Sequence, residues 1–387
     1  MILIVGGDGF VGWPLALRLS NKGHQVHIVD NLSRRSIDTE LKSGSITDIR
    51  SIKERIQTWT EVSGHTIGFT KLDVSTDFDE LVQLFKELKP KTVIHLGEQR
   101  SAPYSMKNNK TRQYTARNNL MGTHSILNAI LETDRSIHLV HMGTMGVYGY
   151  GVVPDTVVPE GYIEVDIKNQ KGDKLPVEIL HPTYPGSVYH LTKTQDALFF
   201  QYYAKNYKLR ITDLHQGIIW GAETSETKKH PNLVNRFDYD SDYGTVLNRF
   251  MMQVAYGMPL TIYGTGQQTR AFIHIENSMD CVELAIQNPP TQGDRVKIFN
   301  QVTETHSLQS LAELIQATFP NVEKTTIQNP RNELQANQLR VQNKQFLDLG
   351  LHPIFVTKEE LKTLYDFITS HKSAINEQNV LPLSFWN

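Results

Sequence analysis

A glycine-rich turn directly after the first apolar run constrains this chain most. Ile2-Leu3-Ile4-Val5 runs into Gly6-Gly7-Asp8-Gly9-Phe10-Val11-Gly12, and the next apolar run closes on Asp30. A buried strand ending in such a turn needs glycine for its backbone angles and for close approach of a ligand. The helix that follows aims its first N–H groups at a pyrophosphate. Asp30 lies at the spacing expected of a group that accepts hydrogen bonds from a ribose diol. The expected dinucleotide cradle is Gly6, Gly7, Asp8, Gly9, Phe10 and Gly12, with Asp30 and Asn31 at the ribose. Asp30 would repel a 2′-phosphate, which favours NAD over NADP. Arg34 and Arg35 act against that preference, because arginine accommodates such a phosphate. We read them instead as neighbours of the adenine and of the pyrophosphate.

Strand-like and helix-like segments alternate over the first 216 residues. Short branched-apolar runs predict strands over 2–5, 25–30, 67–73, 92–96, 138–142 and 210–215, with helical patterns over 11–22, 78–88, 118–133 and 188–207. This alternation predicts an α/β fold, a doubly wound parallel Rossmann-type sheet that binds ligands at the carboxyl ends of its strands. Two stretches interrupt it. In residues 32–65, Ile46, Ile49, Ile52, Ile56 and Trp59 read as one helical stripe facing a core. Residues 149–185, rich in Pro, Gly and Val, are too long for a simple connection and read as a lid or substrate-shaping loop. We expect an NAD-binding domain over 1–220. A smaller mixed α/β substrate domain follows over 221–387, some of whose helices return to the first.

The 387 residues are ample for a core, and a formal net charge of −2 gives no reason to expect nucleic acid or an anionic membrane as partner. Cys281 is the only cysteine, so neither an internal disulfide nor a thiolate metal cluster is expected. No apolar run reaches the length of a membrane span, and the first strand starts at residue 2; the expectation is a cytoplasmic protein without membrane insertion. The sequons at Asn31 and Asn109 read as accidents of composition.

A second pattern is Tyr189-His190-Leu191-Thr192-Lys193. Residues four apart share a helix face, so the ammonium of Lys193 falls near the phenol of Tyr189. A phenol near pKa 10 is a poor base at neutral pH; a neighbouring ammonium and a positive nicotinamide ring favour the phenolate. Thr144 follows the strand 138–142 and is placed to donate to a substrate hydroxyl. Thr144, Tyr189 and Lys193 form the expected hydride-transfer constellation.

With these pieces in place the chain resembles the extended short-chain dehydrogenase/reductase family of nucleotide-sugar enzymes. Asp73-Val74, Asn118-Asn119 and the run from Thr269 to His274 match further family motifs. The resemblance implies that Asp73 meets adenine with Val74 beside it, that Asn118 lies by the cofactor, and that Arg270 binds the nucleotide diphosphate. Ordinary 4,6-dehydratases carry an acidic pair after the catalytic threonine, where this chain has Met145 and Gly146. Gly97-Glu98-Gln99-Arg100-Ser101-Ala102-Pro103-Tyr104-Ser105-Met106, the run Thr245–Phe250, Tyr189-His190-Leu191, Asn329-Pro330-Arg331 and the C-terminal Ser384-Phe385-Trp386 resemble the UDP-sulfoquinovose synthases. One departure is Val147, where those enzymes carry glutamate; no glutamate role transfers to it.

That resemblance implies UDP-glucose and sulfite as substrates and NAD as a cofactor regenerated in each turnover. Oxidation at C4 uses Tyr189 and Lys193, loss of the C6 hydroxyl gives a 5,6-enone, sulfite adds at C6, and hydride returns to C4. His190 is the candidate for the extra acid/base, the other reading being that it orients a substrate hydroxyl. Arg100, Gln216, Thr245, Asn248, Arg249 and Arg331 are the implied substrate contacts, Gln216 also touching the cofactor. Many relatives pair subunits through helices matching 118–133 and 188–207, which implies a homodimer. A UDP-hexose 4-epimerase and a non-catalytic NAD-sensing protein stay open as alternatives, the first favoured by Val147, the second opposed by the intact Tyr189/Lys193 pair.

Overall fold

Seven parallel strands form the central sheet of the protein, described here from a computed structural model covering residues 1–149, 156–329, 339–371 and 377–381. In spatial order they are Lys297–Gln301, Arg210–Gln216, His138–Met142, Thr92–His95, Ile2–Val5, Val26–Asp30 and Ile67–Lys71. Side chains alternate between faces along each strand. Ile2 and Ile4 pack with Trp13, Leu17, Trp59 and Val282 on one side, whereas Leu3 and Val5 pack with Leu81, Phe85, Ile126 and Phe200 on the other. Helices Gly12–Asn21, Ile52–Ser63 and Ile275–Gln287 therefore cover one face. Phe78–Leu88, Asn109–Thr133 and Val188–Tyr207 cover the opposite one.

The edge strand Lys297–Gln301 pairs in parallel with Arg210–Gln216. A strand as well as a helix thus returns to the first domain from beyond residue 220, where only helices were expected. The second layer has its own core of Phe237, Leu247, Phe250, Met251, Leu311, Leu361 and Phe367. Its three-stranded sheet is Ile218–Trp220, Thr269–His274 and Glu304–Ser307, so the chain crosses into it slightly before residue 220. Trp13 Nε1 donates to the Leu233 carbonyl at 2.9 Å, tying to the first core the segment that enters the second at Val234.

The stripe expected in residues 32–65 is divided. Helix Ile52–Ser63 begins only at the capping box of Ser51 and Glu54, so Ile46 and Ile49 precede it. Ile46 is buried in the second core, while Ile52 and Trp59 are buried in the first. Of the stretch 149–185, residues 150–155 lie outside the described residues, and the rest differs from the expected lid. Tyr162–Lys168 and Lys174–Leu180 form an antiparallel hairpin, anchored where Tyr162 Oη donates to the Val296 carbonyl at 2.9 Å. None of its residues lines the central cleft among those described.

Candidate active site

The glycine turn forms one end of a cleft at the carboxyl edge of the sheet. Gly6 holds a φ of 84°. A Cβ on Gly12 would lie 2.2 Å from the Gly6 carbonyl oxygen, so only glycine fits there. Gly6, Gly9 and Gly12 line the cleft with Asp8 and Phe10; Gly7 does not, because its Cα side faces Ile28, 2.5 Å from where a Cβ would stand. Asp30 accepts hydrogen bonds from the Asp8 N–H at 2.9 Å and the Leu32 N–H at 2.7 Å, which fixes the turn to the strand end. Burial, with the charge of Asp8 adding to it, pushes the Asp30 carboxyl up to about 6. Asn31 Nδ2 donates to Asp73 Oδ2 at 2.9 Å, and Asp30, Asn31, Asp73, Val74 and Asn118 all line the cleft. A bare backbone cradle followed by a carboxylate fits a dinucleotide with an unmodified ribose.

The two arginines are placed differently. Arg35 does not line the cleft; it binds the Asp8 carboxylate at 2.6 and 2.9 Å, beside Arg55 at 2.9 Å. Arg34 lines it but pairs with Asp38 and with Asp238 at 3.1 Å, its guanidinium 3.7 Å from the Tyr243 ring centroid. Carboxylates therefore neutralise the cation that could have received a 2′-phosphate.

At the other end of the cleft, helix Val188–Tyr207 starts at Ser187, whose Oγ accepts the His190 N–H at 3.2 Å. Tyr189 and Lys193 line the cleft one turn apart, and Thr144 hydrogen-bonds the Tyr189 phenol. Lys193 Nζ donates to the Met142 carbonyl at 2.6 Å and lies 2.5 Å from Glu98 Oε2. Burial raises the Tyr189 phenol above its ordinary value; Lys193 and Thr144 pull it down, and Glu98 pushes it up again. The ammonium alone does not bring the phenol into working range, because it is shared with Glu98. A positive nicotinamide ring, if held beside the phenol, would add to the stabilisation of the phenolate.

A second chamber, lined by Thr144, Met145, Gly146, His190, Thr245 and Arg270, shares Arg100, Gly143, Tyr189 and Gln216 with the first. The His190 ring lies over Gly146, its Cδ2 only 2.2 Å from where a Cβ would stand, with Nδ1 3.1 Å from Ser187 Oγ. An acidic side chain at position 146 and this imidazole exclude each other. Arg100 pairs with Asp238, and Gln216 Nε2 donates to Ser278 Oγ at 2.8 Å. Asn248 and Arg249 are buried on helix Val246–Ala255 but do not line the chamber. Thr245 Oγ1, Asn248 Oδ1 and Arg249 Nε are buried without a hydrogen-bond partner. Val147 is buried among Met145, Tyr148, Ala271 and Leu339 and itself lines neither chamber. Arg331 and the motif at 384–386 lie outside the described residues.

The model of the NAD dependent epimerase/dehydratase family matches residues 2–300. Over its full length the chain is 41% identical to the chloroplastic UDP-sulfoquinovose synthase of Spinacia oleracea, covering 79% of that protein. It is 36% identical to the UDP-sulfoquinovose synthase of Sulfolobus acidocaldarius, covering 97% of it. The chain belongs to the UDP-sulfoquinovose synthase family, within the NAD dependent epimerase/dehydratases. Its fold matches the UDP-glucose 4-epimerase of Thermotoga maritima, solved with UDP-glucose, at a TM-score of 0.70 and 18% identity, covering 96% of this chain and 99% of that one. NAD is the cofactor of the family, and the glycine cradle with Asp30 fits it. For a UDP-sulfoquinovose synthase family member, the group that sequence reasoning left without a role is Glu98. Its signal was a carboxylate just after the buried strand Thr92–His95. Tyr243 and Tyr263, which also line the chambers, stood out by no local pattern.

Proposed function

We propose that this protein is a UDP-sulfoquinovose synthase, converting UDP-glucose and sulfite into UDP-sulfoquinovose and water. The observation that carries the reading is the His190 imidazole standing over Gly146 beside Thr144 and Tyr189, where a dehydratase would hold its acidic pair. Bound NAD supplies the group that takes the C4 hydride and later gives it back. Thr144 orients the C4 hydroxyl and Tyr189 accepts its proton, with Lys193 stabilising the phenolate. The C4 ketone acidifies the C5 proton, and His190 removes it. The C6 hydroxyl departs as water on taking that proton, leaving a 5,6-enone. Sulfite sulfur then bonds to C6 while a proton returns to C5 through His190. When hydride returns to C4, Tyr189 hands its proton back to O4. The glycine cradle and Asp30 hold the dinucleotide, Asp73 and Asn118 lying along the same cleft.

Arg100, Gln216, Thr245 and Arg270 line the chamber that would receive the anionic substrates. Charge-assisted donors suit both a diphosphate and a sulfite. Arg249 backs that wall, its guanidinium 5.1 Å from the ring centroid of Tyr263, which lines the chamber. Incubation with UDP-glucose, with and without sulfite, tests the reading: a sulfonated nucleotide sugar forms only with sulfite. UDP-galactose in both reactions would make the protein a 4-epimerase, and no product in either would make it a sensor.

The same proposal includes a homodimer and a cytoplasmic setting. Helices Asn109–Thr133 and Val188–Tyr207 pack side by side and expose Met121, Leu191, Leu198 and Tyr202 at 45, 45, 58 and 52%. Four large apolar side chains on one helix pair are the composition of an interface. Among the described residues, no helix is long and apolar enough to cross a membrane.

A further inference from the structure

Strands buried on both faces of a parallel sheet normally carry apolar side chains, and three adjacent strands here break that rule at one level. His95, His141 and Asp213 are direct register partners on strands Thr92–His95, His138–Met142 and Arg210–Gln216, and all are buried. Glu98 closes over them: its Oε1 lies 3.1 Å from His141 Nε2 and 3.3 Å from His95 Nε2. Its Oε2 lies 2.5 Å from Lys193 Nζ, both side chains being under 5% exposed, at 3% and 4%. Beyond His141 the hydrogen bonds continue. His141 Nδ1 meets Asp213 Oδ1 at 2.8 Å, Asp213 Oδ2 meets His215 Nε2 at 2.9 Å, and His215 Nδ1 meets the Tyr148 hydroxyl at 2.6 Å.

Such an array does little for stability, since desolvating buried charges offsets most of their attraction. His95, Glu98 and His141 offer ligand atoms within 4.8 Å of one another, a metal-like spacing. Lys193 Nζ, 3.1 Å from His141 Nε2, already supplies the cation there, and a metal ion would face an ammonium. The task of the array lies instead with Lys193.

We propose that Glu98 is a positioning residue for the Tyr189/Lys193 pair: its carboxylate fixes the Lys193 ammonium and keeps it charged, and the chain from His141 to Tyr148 anchors that carboxylate. The proposal rests on Tyr189 and Lys193 being the reacting pair. Lys193 faces Glu98, Tyr189, Asp196, His141 and the Met142 carbonyl. Burial opposes its charge, but Glu98, Tyr189 and Asp196 together hold it above the ordinary lysine value. Burial also works against charge on Glu98, yet Lys193, His141 and His95 hold it well below the usual carboxylate range. Burial and Glu98 in turn push the Asp196 carboxyl well above that range. His141, opposed by burial and Lys193, is lifted to about 9 by Asp213 and Glu98, while burial takes His95 down to about 4. Charges therefore alternate from Lys193 through Glu98 and His141 to Asp213.

Glu98→Gln keeps the shape and removes the charge. Lys193 then faces protonated His141 with only Asp196 and the Tyr189 phenol left to favour its charge, so its ammonium should lose its proton at lower pH. In single-turnover reduction of the bound nicotinamide by UDP-glucose, the alkaline limb should move down by about one pH unit or more, a tenfold change in proton affinity. The rate at pH 8 should fall with it, while KM for UDP-glucose stays near wild type. Glu98→Asp, which keeps the charge on a shorter arm, should restore the limb and leave the rate low. A direct readout needs no turnover: in ¹⁵N-lysine-labelled protein, the Lys193 resonance (assigned by its loss in Lys193→Met) should stay protonated beyond the ordinary lysine pKa of about 10.4. In Glu98→Gln it should titrate earlier. A folded Glu98→Gln with the wild-type limb and wild-type Lys193 titration overturns the proposal. If that variant does not fold, a wild-type Lys193 that titrates below the ordinary value overturns it equally. An absence of UDP-glucose oxidation, with the NMR result intact, would instead fault the assignment of the reaction and leave the Glu98–Lys193 link standing.

Discussion

Replacing Gly146 by alanine should separate the two chemical halves of the reaction. The added methyl would stand 2.2 Å from His190 Cδ2 and 2.3 Å from Nε2, so the imidazole must retreat by about 1.2 Å to reach ordinary contact near 3.4 Å. It cannot swing freely, because Nδ1 is held 3.1 Å from Ser187 Oγ and the ring lies 5.2 Å from that of Tyr189, centroid to centroid. Overpacking of this kind costs roughly 1–3 kcal/mol of stability. Its effect on catalysis should be larger, since a misplacement of about 1 Å can cost on the order of a hundredfold in rate. The three atoms nearest the methyl all belong to His190, so C4 oxidation, which rests on Tyr189 and Lys193 in the proposed reaction, should fall only a few-fold. In deuterated buffer, the wild-type product should carry deuterium at C5. Gly146→Ala should incorporate it about a hundredfold more slowly, while UDP-glucose still reduces the bound nicotinamide. Gly44→Ala, where nothing lies within 4 Å of the new methyl, is the control. Normal C5 exchange in a folded Gly146→Ala would remove His190 as the base. A wild-type product without label at C5 would remove the enone route altogether.

Tyr189→Phe keeps the ring and removes the oxygen that takes the proton; turnover should drop by about a hundredfold or more with NAD still bound, as measured by product formation and calorimetric titration. Asp30, with its carboxyl raised to about 6, is ionised at pH 7.5 and largely protonated at 5.5. Its charge-based rejection of NADP should therefore be present above pH 6 and fade as pH falls through that value. Asp30→Asn should show weak discrimination at both pH values, and a wild-type NADP/NAD affinity ratio that is flat with pH would contradict the reasoning. Leu198→Glu, on the exposed face of helix Val188–Tyr207, should yield monomers by light scattering without lowering the melting temperature of the monomer fold. A dimer that persists in this variant and in Tyr202→Glu places the interface elsewhere.

Where a stretch is buried on both faces, its composition alone marks it, and the expected strands 2–5 and 138–142 coincide with the structure end to end, as do helices Phe78–Leu88 and Val188–Tyr207. Helix Asn109–Thr133 starts nine residues before the expected segment 118–133, because Asn109–Arg117 is polar almost throughout and carries no apolar period. Its start is set instead by the capping box of Asn108 and Thr111. The strand Lys297–Gln301 was missed for a different reason. It joins the sheet beside a strand some eighty residues earlier, and a pairing that distant leaves no local period. The same distinction runs through the site. Gly6 to Gly12 and Tyr189 to Lys193 are legible because each group acts within one or two turns of chain.

Glu98 illustrates the other case. Its partners His95, His141 and Lys193, with Asp213 behind His141, come from three strands and a helix, and the sheet register brings the strand residues together. Yet His95, His141 and Asp213 are locally anomalous: ionisable side chains buried in parallel strands conflict with burial on both faces. Local rules that fail together at one level of a sheet point to a functional constraint more strongly than any one failure does. The register turns three separate anomalies into one array with alternating charge, ending on the Lys193 ammonium beside the Tyr189 phenol. Burial and Glu98 raise that phenol, and the ammonium lowers it only in part. The balance favours a Tyr189 that holds a proton once it has taken one. A cycle that withdraws hydride from C4 and returns it to the same carbon needs its proton kept over that same interval.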